Sequence, residues 1–581
     1  MVYLNARDQA VASADFAKLA HIILRQRFLR ACVYEVPFAY MVAVVANLSF
    51  RTGVFSLLYA LVSPRTLGYT VAAYLAGVAS LIVHAQLFQV TRAAHSSHFP
   101  RLQRLLRHPA STGTAVGVYV LLAYFLLIVH RAMFGGNFAR MWLYPEGAYG
   151  PPQLNPGWLA SWVFATAMGA GYALSLLANE RLQLAFPAIE QSRIYALKDR
   201  LPGSFARAFG FATGVLWRFW LGYFVFGWGL YRSVCGVLAR IFSTSAYGVG
   251  SPLLSASSLI FWLHSGVLMT LTWELAHQLF ETILTEPTHI NELSLDRNLC
   301  LLNGLKHSDS PLIQHLAFQE LYRLATFSAE QRTEILTDID RPSGTMWTQI
   351  SGECIGVIKA ATTQLQAQAP PPEKPKPAKP ALASSFDASV AVRAGGAPMK
   401  DILQRNRWAP PNGQPPAPAE PTSSVDLFGI EAQGLEKYVL TALRDMLMRS
   451  PLGQRIWSRS QRARSISTFS NFQQQVWAVR ALMRLVERSI VEDQFGVVQA
   501  DIASVLGCLL AYLTELERSA AQTDGTTAYN VQAASRQTVA MVQVLRNSLY
   551  TFTTTFYEYL EALKLPPALA RQLQPFADFK A

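Results

Sequence analysis

Six stretches in the first half of the chain are long and apolar enough to be helices that cross a bilayer, and nothing else in the sequence narrows the fold so far. They run from Ala31 to Phe50, Leu67 to Val90, Thr114 to Val129, Trp158 to Leu177, Phe211 to Tyr231 and Leu253 to Leu275. A hydrocarbon core of about 30 Å needs about 20 residues of helix. The third stretch is short and is expected to extend through His130 towards Phe134. Of the 581 residues 51% are hydrophobic and only 15% charged, which argues against a soluble globular chain. Almost all the apolar excess precedes residue 280, so a membrane half and an aqueous half are implied.

Lysine and arginine in the connections test this parsing, because short cytosolic loops accumulate positive charge. The N-terminal segment carries Arg7, Lys18, Arg25, Arg27 and Arg30, the second connection Arg92, Arg101, Arg104 and Arg107, and the fourth Arg181, Arg193, Lys198, Arg200 and Arg207. The other three carry two each: Arg51 and Arg65, Arg131 and Arg140, Arg232 and Arg240. This alternation assigns both termini, and everything after residue 280, to the cytosolic side. It gives the net charge of +13 a role in orientation rather than in nucleic-acid binding. Arg25, Arg27 and Arg30 precede the first apolar run and no small-residue cleavage site follows it, so the first span itself is expected to drive insertion. The sequon Asn47-Leu48-Ser49 lies against that span, where glycosylation is not expected.

Charged side chains within spans are functional candidates by default. Glu35 and Arg218 stand out, followed by His84, His264 and Glu274. In the derived orientation Arg218 lies in the cytosolic half of the fifth span and Glu274 near the cytosolic end of the sixth, so the two are expected to pair; separate snorkelling to the headgroups is the alternative. No HExxH, GxSxG or midplane carboxylate cluster accompanies them, and the five scattered cysteines form no CxxC pair. No catalytic residue, metal site or cofactor is expected.

The remainder reads as helical and aqueous. Ser310-Pro311 and Ser328-Ala329-Glu330-Gln331 are helix starts, Arg341-Pro342-Ser343-Gly344 is a break, and Trp347, Ile350, Cys354 and Ile358 mark one apolar face. A Pro-rich stretch with too little apolar surface to order itself follows, then a second helical block with apolar runs such as Val476, Val479, Leu482, Met483 and Val486. Arg455, Arg459 and Arg462 around Trp457 offer a lipid or partner surface, or a solvated face. The expected architecture is all-α: a cytosolic segment 1–30, a six-span transmembrane domain 31–277, a membrane-proximal helical region 278–368, a disordered linker 369–424 and a C-terminal helical region 425–581.

The run Leu301-Leu302-Asn303-Gly304-Leu305-Lys306, then Pro311-Leu312-Ile313-Gln314-His315-Leu316-Ala317-Phe318-Gln319-Glu320-Leu321, then Arg332, Asp338 and Trp347-Thr348-Gln349-Ile350 resembles the membrane-embedded nucleoporin family named for the nuclear division cycle. The resemblance covers the whole architecture and is sharp over Leu301 to Ile358. It implies a multi-pass scaffold of the nuclear envelope that anchors the nuclear pore complex in the pore membrane and, in fungi, helps insert the spindle pole body. Implied partners are the bilayer, inner-ring nucleoporins with membrane-binding helices, other pore membrane proteins, a propeller nucleoporin such as aladin, and spindle pole body components in fungi. The motif residues Gly304, Pro311, Leu316, Phe318, Glu320, Arg332 and Trp347 would then be a packing or partner surface. The competing readings are an endoplasmic reticulum transporter or membrane enzyme using Arg218, Glu274, His84 and His264, and a membrane-shaping protein.

Overall fold

The computed structural model describes residues 14–48, 54–90, 109–135, 140–143, 153–187, 192–242, 256–368, 469–521, 531–563 and 565–578. Six of its helices are long and apolar enough to cross a membrane. They are α1 (Phe16–Leu48), α3 (Pro64–Leu87), α4 (Pro109–Phe134), α5 (Pro156–Ala178), α6 (Arg193–Phe242) and α7 (Ala256–Leu284), with a short α2 (Val54–Val62) between the first two. α4 does run to Phe134, as its sequence suggested. A two-residue antiparallel ladder, β1 (Trp142–Leu143) with β2 (Gln153–Leu154), precedes α5.

Two of these helices are much longer than a bilayer requires. At 1.5 Å per residue α1 is about 50 Å long and α6 about 75 Å. The membrane-facing surface is legible along them and their neighbours. Leu67, Val71 and Leu75 on α3, and Leu121, Phe125 and Ile128 on α4, are exposed stripes at helical spacing. Trp217, Phe224 and Phe226 continue such a surface on α6. α7 is the opposite case. From Leu268 to Leu284 every residue but Glu281 is buried, because α7 packs against all five other long helices. It is the axis of the bundle.

Asn47 is buried at the end of α1, where its amide donates to Ser63 Oγ at 2.7 Å and Thr66 Oγ1 at 2.8 Å at the start of α3. Its polar group is thus satisfied in a place where water is excluded. At the other end of the bundle, Gln89 N–H donates to Leu182 O at 3.1 Å and Leu184 N–H to Gln89 O at 2.9 Å, tying the exit of α3 to the exit of α5. This end faces the C-terminal half and is termed the domain side.

The C-terminal half is helical throughout its described residues: α8 (Arg297–Leu305), α9 (Pro311–Phe327), α10 (Ala329–Thr337), α11 (Met346–Gln368), α12 (Phe472–Glu492), α13 (Ile502–Ala521), α14 (Val531–Thr555) and α15 (Pro567–Ala577). The local signals act as read. Pro311 occupies the first turn of α9, Ser328 Oγ accepts from Gln331 N at 3.4 Å to start α10, and Gly344 turns with φ +99°. Trp347, Ile350, Cys354 and Ile358 are all fully buried. The blocks before and after the Pro-rich stretch, read from sequence as two regions, share one apolar core: α9 packs on α12, and α11 on α12 and α13. The stretch itself, 369–424, lies outside the described residues.

The first turn of α1 also enters this core. Phe16 is buried against α8, where a Cβ on Gly304 would lie 2.6 Å from the Phe16 ring and 2.9 Å from Ala317. Only glycine leaves that notch. Gly304→Ala is therefore expected to lower stability by about 1–3 kcal/mol, the usual cost of overpacking, and to cost clearly less in a Phe16→Ala background. Thermal unfolding of the four proteins in detergent measures the coupling.

Candidate functional site

The domain-side end of α7 gathers charges from three other elements. Glu274, buried on α7, takes both guanidinium nitrogens of Arg181 at 2.7 Å, and its Oε2 also accepts from Arg207 Nε at 3.0 Å. Arg207 donates in turn to Ser204 Oγ at 3.1 Å. One turn pair further out Arg200 meets Glu281 at 3.2 Å, and beyond it Arg193 and Arg30 meet Glu286. Arg193, Arg200 and Arg207 are seven residues apart on α6, and Glu274 and Glu281 seven apart on α7, so each pair is a rung between antiparallel helices two turns apart. A bidentate arginine on a carboxylate is the geometry that best offsets the cost of desolvating both charges.

Arg181 reaches this place because of how α5 ends. Arg181 N–H bonds back to Leu176 O at 3.0 Å, with Glu180 in the left-handed region at φ +52°, a Schellman-type stop that turns the chain over the end of α7. Deeper in the bundle Tyr119 shares a hydrogen bond of 2.9 Å with Ser80, and His84 Nδ1–H donates to Ser80 O at 2.6 Å. The rings of Tyr119, Tyr172 and Trp273 close over one another at 5.0–5.3 Å between centroids.

Among the described residues several contacts carry the bundle into the C-terminal half, and three of them differ in kind. The first is Phe16 in its glycine notch. The second is Arg27, whose guanidinium donates to Leu284 O at 3.0 Å, Glu286 O at 2.7 Å and Pro287 O at 2.8 Å. A helix end leaves its last carbonyls without partners, and a cation there also suits the dipole. The third is Phe186, beyond the exit of α5, which stacks on His315 of α9 with centroids 6.0 Å apart and meets Trp477 of α12 edge-on at 5.3 Å.

Of the seven motif residues all but the exposed Pro311 lie inside this junction and the domain behind it. Leu316 and Phe318 are fully buried in the shared core. Arg332 forks onto Glu492 at 2.7 and 2.9 Å, and Trp347 Nε1 donates to Asp501 Oδ2 at 3.0 Å, so each joins the membrane-proximal block to the last one. Glu320 is buried and accepts from Asn291 N at 2.8 Å, holding the turn that follows α7. Burial pushes its pKa up to about 8, against the opposing hydrogen bonds from Asn291 and Ile290. Burial likewise lowers His315 to about 4, and its Nδ1–H donates to Pro311 O at 2.8 Å.

The expected pairing of Arg218 with Glu274 is not what forms. Glu274 belongs to Arg181 and Arg207, whereas Arg218 is exposed on the outer face of α6. α6 begins at Arg193 rather than Phe211, and this fixes a register in which Arg207 opposes Glu274; Arg218 lies three turns, about 16 Å, further along. His264 lies 3.4 Å from His130 instead of joining that cluster. Glu35 is buried with its carboxyl against Gly77, where a Cβ would meet Oε1. The basic segment with Arg455, Trp457, Arg459 and Arg462 lies outside the described residues. Arg27, Arg181 and Arg207 entered the sequence reading only as loop charges; the shared seven-residue spacing of Arg193, Arg200 and Arg207 with Glu274 and Glu281 was the signal that could have found the ladder.

Residues 23–574 match the family described as Nucleoporin protein Ndc1-Nup. Nucleoporin NDC1 of Xenopus laevis is 23% identical over 522 residues, 74% of this chain and 77% of the relative. Nucleoporin NDC1 of Homo sapiens is 23% identical over 505 residues, 71% of this chain and 74% of the relative. That of the fungus Chaetomium thermophilum is 25% identical over 291 residues, 43% of this chain and 45% of the relative.

Two outcomes are expected. Glu274→Gln leaves the partly exposed Arg181 and Arg207 without their counter-ion and should cost about 1–3 kcal/mol, while Arg218→Gln should be nearly neutral; unfolding midpoints in detergent separate them. For Glu320 the folded pKa lies above the unfolded value near 4.5, so the folded state holds its proton longer and its contribution falls as pH rises from about 4.5 to 8. The stability gained by Glu320→Gln should therefore be smallest near pH 5 and grow towards pH 8, read from the same midpoints across that range.

Proposed function

The chain belongs to the Ndc1-Nup nucleoporin family and is a nucleoporin of the pore membrane; from that premise we propose that it anchors the nuclear pore complex by presenting a helical domain held rigidly to the bilayer. The observation that carries this reading is the junction formed by Phe16, Arg27 and Phe186. A flexible tether would localise a binding surface, whereas these contacts also orient it. We infer a structural rather than catalytic role, in which the buried charges hold the bundle together. Both termini lie on the cytosolic side in this reading, which the asymmetry of Lys and Arg in the connections supports.

The surfaces offered to other nucleoporins then belong to the outer faces of α9 to α15 rather than to the motif residues, which, Pro311 apart, are occupied inside. Inner-ring nucleoporins with membrane-binding helices, other pore membrane proteins, aladin and, in fungi, spindle pole body components fit that arrangement. A transporter or enzyme built on Arg218, Glu274, His84 and His264 is not favoured. Arg218 is exposed and His264 contacts His130, so the four do not form one centre. The chain then divides into a six-span bundle and one helical domain whose two parts flank the Pro-rich stretch.

Cysteine substituted at exposed Phe495 and at Gln153, in an otherwise cysteine-free chain, tests orientation. In sealed microsomes an impermeant maleimide should label position 495 at once and position 153 only after detergent. Immunogold labelling of the tagged chain should then concentrate at pore membranes; even labelling of the endoplasmic reticulum would contradict the anchoring role.

A further inference from the structure

A cavity of about 540 Å³ opens where the bundle meets the C-terminal half, beside the junction just described. Its walls come from α1, the last turn of α3 with the residues after it, α7, and the start of α9. On α1 the lining residues are His21, Leu24, Arg25 and Phe28, spaced i, i+3, i+4 and i+7, so one stripe of the helix faces the space. The stripe is graded. His21 and Arg25 are exposed at the end away from the membrane, and Phe28 lies nearest the first span's apolar core. Phe88, Phe280 and Leu284 continue the apolar wall from α3 and α7.

The opposite wall is the first turn of α9. Pro311 and Leu312 line it, and the Ser310 hydroxyl makes no bond back to the helix. The first N–H groups of α9 and the positive end of its dipole therefore add to the charge of Arg25. Among the described residues no carboxylate lines the cavity. Charge of one sign thus stands above an aromatic and aliphatic floor, at the level where three membrane helices end.

We propose that this crevice binds an anionic phospholipid of the leaflet on the domain side, with its phosphate at His21, Arg25 and the start of α9 and its acyl chains against Phe28, Phe88 and Phe280. A glycerophospholipid combines a negative group and an apolar body in the same order as the wall. Net attraction to anionic lipid is the expected result of basic residues at a membrane surface. Bound there, the lipid bridges the bundle and α9 and becomes part of the joint between membrane and domain. The inference needs only the six-span reading; the orientation proposed above decides which leaflet supplies the lipid.

The test is native mass spectrometry of the full chain in mild detergent, titrated with phosphatidylserine or with phosphatidylcholine of the same acyl chains. The wild type should hold phosphatidylserine about tenfold more tightly. His21→Glu with Arg25→Glu should bring it down to the phosphatidylcholine level, Arg25→Lys should retain the preference, and Ala85→Trp, which fills the lining, should weaken both lipids. Unfolding midpoints without lipid report whether each variant is intact. Equal retention of the two lipids by the wild type overturns the proposal. So does undiminished phosphatidylserine binding in an intact charge-reversed or cavity-filled variant.

Discussion

The whole arrangement depends on how the last membrane helix ends. α7 is the axis of the bundle, and where it stops its final carbonyls must find donors or reach water. Arg27 supplies those donors from the first helix, bonding Leu284, Glu286 and Pro287 with a single guanidinium. The beginning and the end of the membrane domain are thereby fixed to one another at the point where the chain enters its second half. Phe16, further up the same helix, can then reach Gly304, and α1 serves both as a span and as a strut of the C-terminal core.

The ion pairs along α6 and α7 perform a related task. Buried charges are a weak source of stability, because desolvation offsets most of the attraction. They are a strong source of register. A slip of one turn between the helices would strip Arg207 from Glu274, leaving it Arg181 alone, and would leave Glu281 without Arg200, an uncompensated charge in a poorly hydrated place. The aromatic packing of Tyr119, Tyr172 and Trp273 below them fills space without specifying a depth so sharply.

Much of this was legible in the sequence, and the part that was not has an identifiable cause. Spans, helix starts and the apolar face through Trp347 and Ile358 follow from local rules of length, capping and periodicity, and the structure keeps them. The family motif pointed to Gly304, Arg332 and Trp347, but their partners Phe16, Glu492 and Asp501 lie 154 to 288 residues away, beyond any local rule. The pairing of Glu274 failed for a related reason. Hydropathy marks where α6 becomes apolar, at Phe211, yet the helix begins eighteen residues earlier, and the depth of every side chain on it was read from the wrong origin. Charges in the connections were counted only as a sum. Arg27, Arg181 and Arg207 show that the same residues also hold specific partners.

For a nucleoporin of the pore membrane, a rigid joint between bilayer and domain means that the membrane's position dictates the direction in which the binding surface points. Hydrogen exchange on the full chain, comparing wild type with Arg27→Ala, tests this most directly. If Arg27 is the keystone, protection should fall together in the last turn of α7, in the first turns of α1 and in α8 and α9. A loss confined to residues 284–287, with α8 and α9 unchanged, would contradict the account.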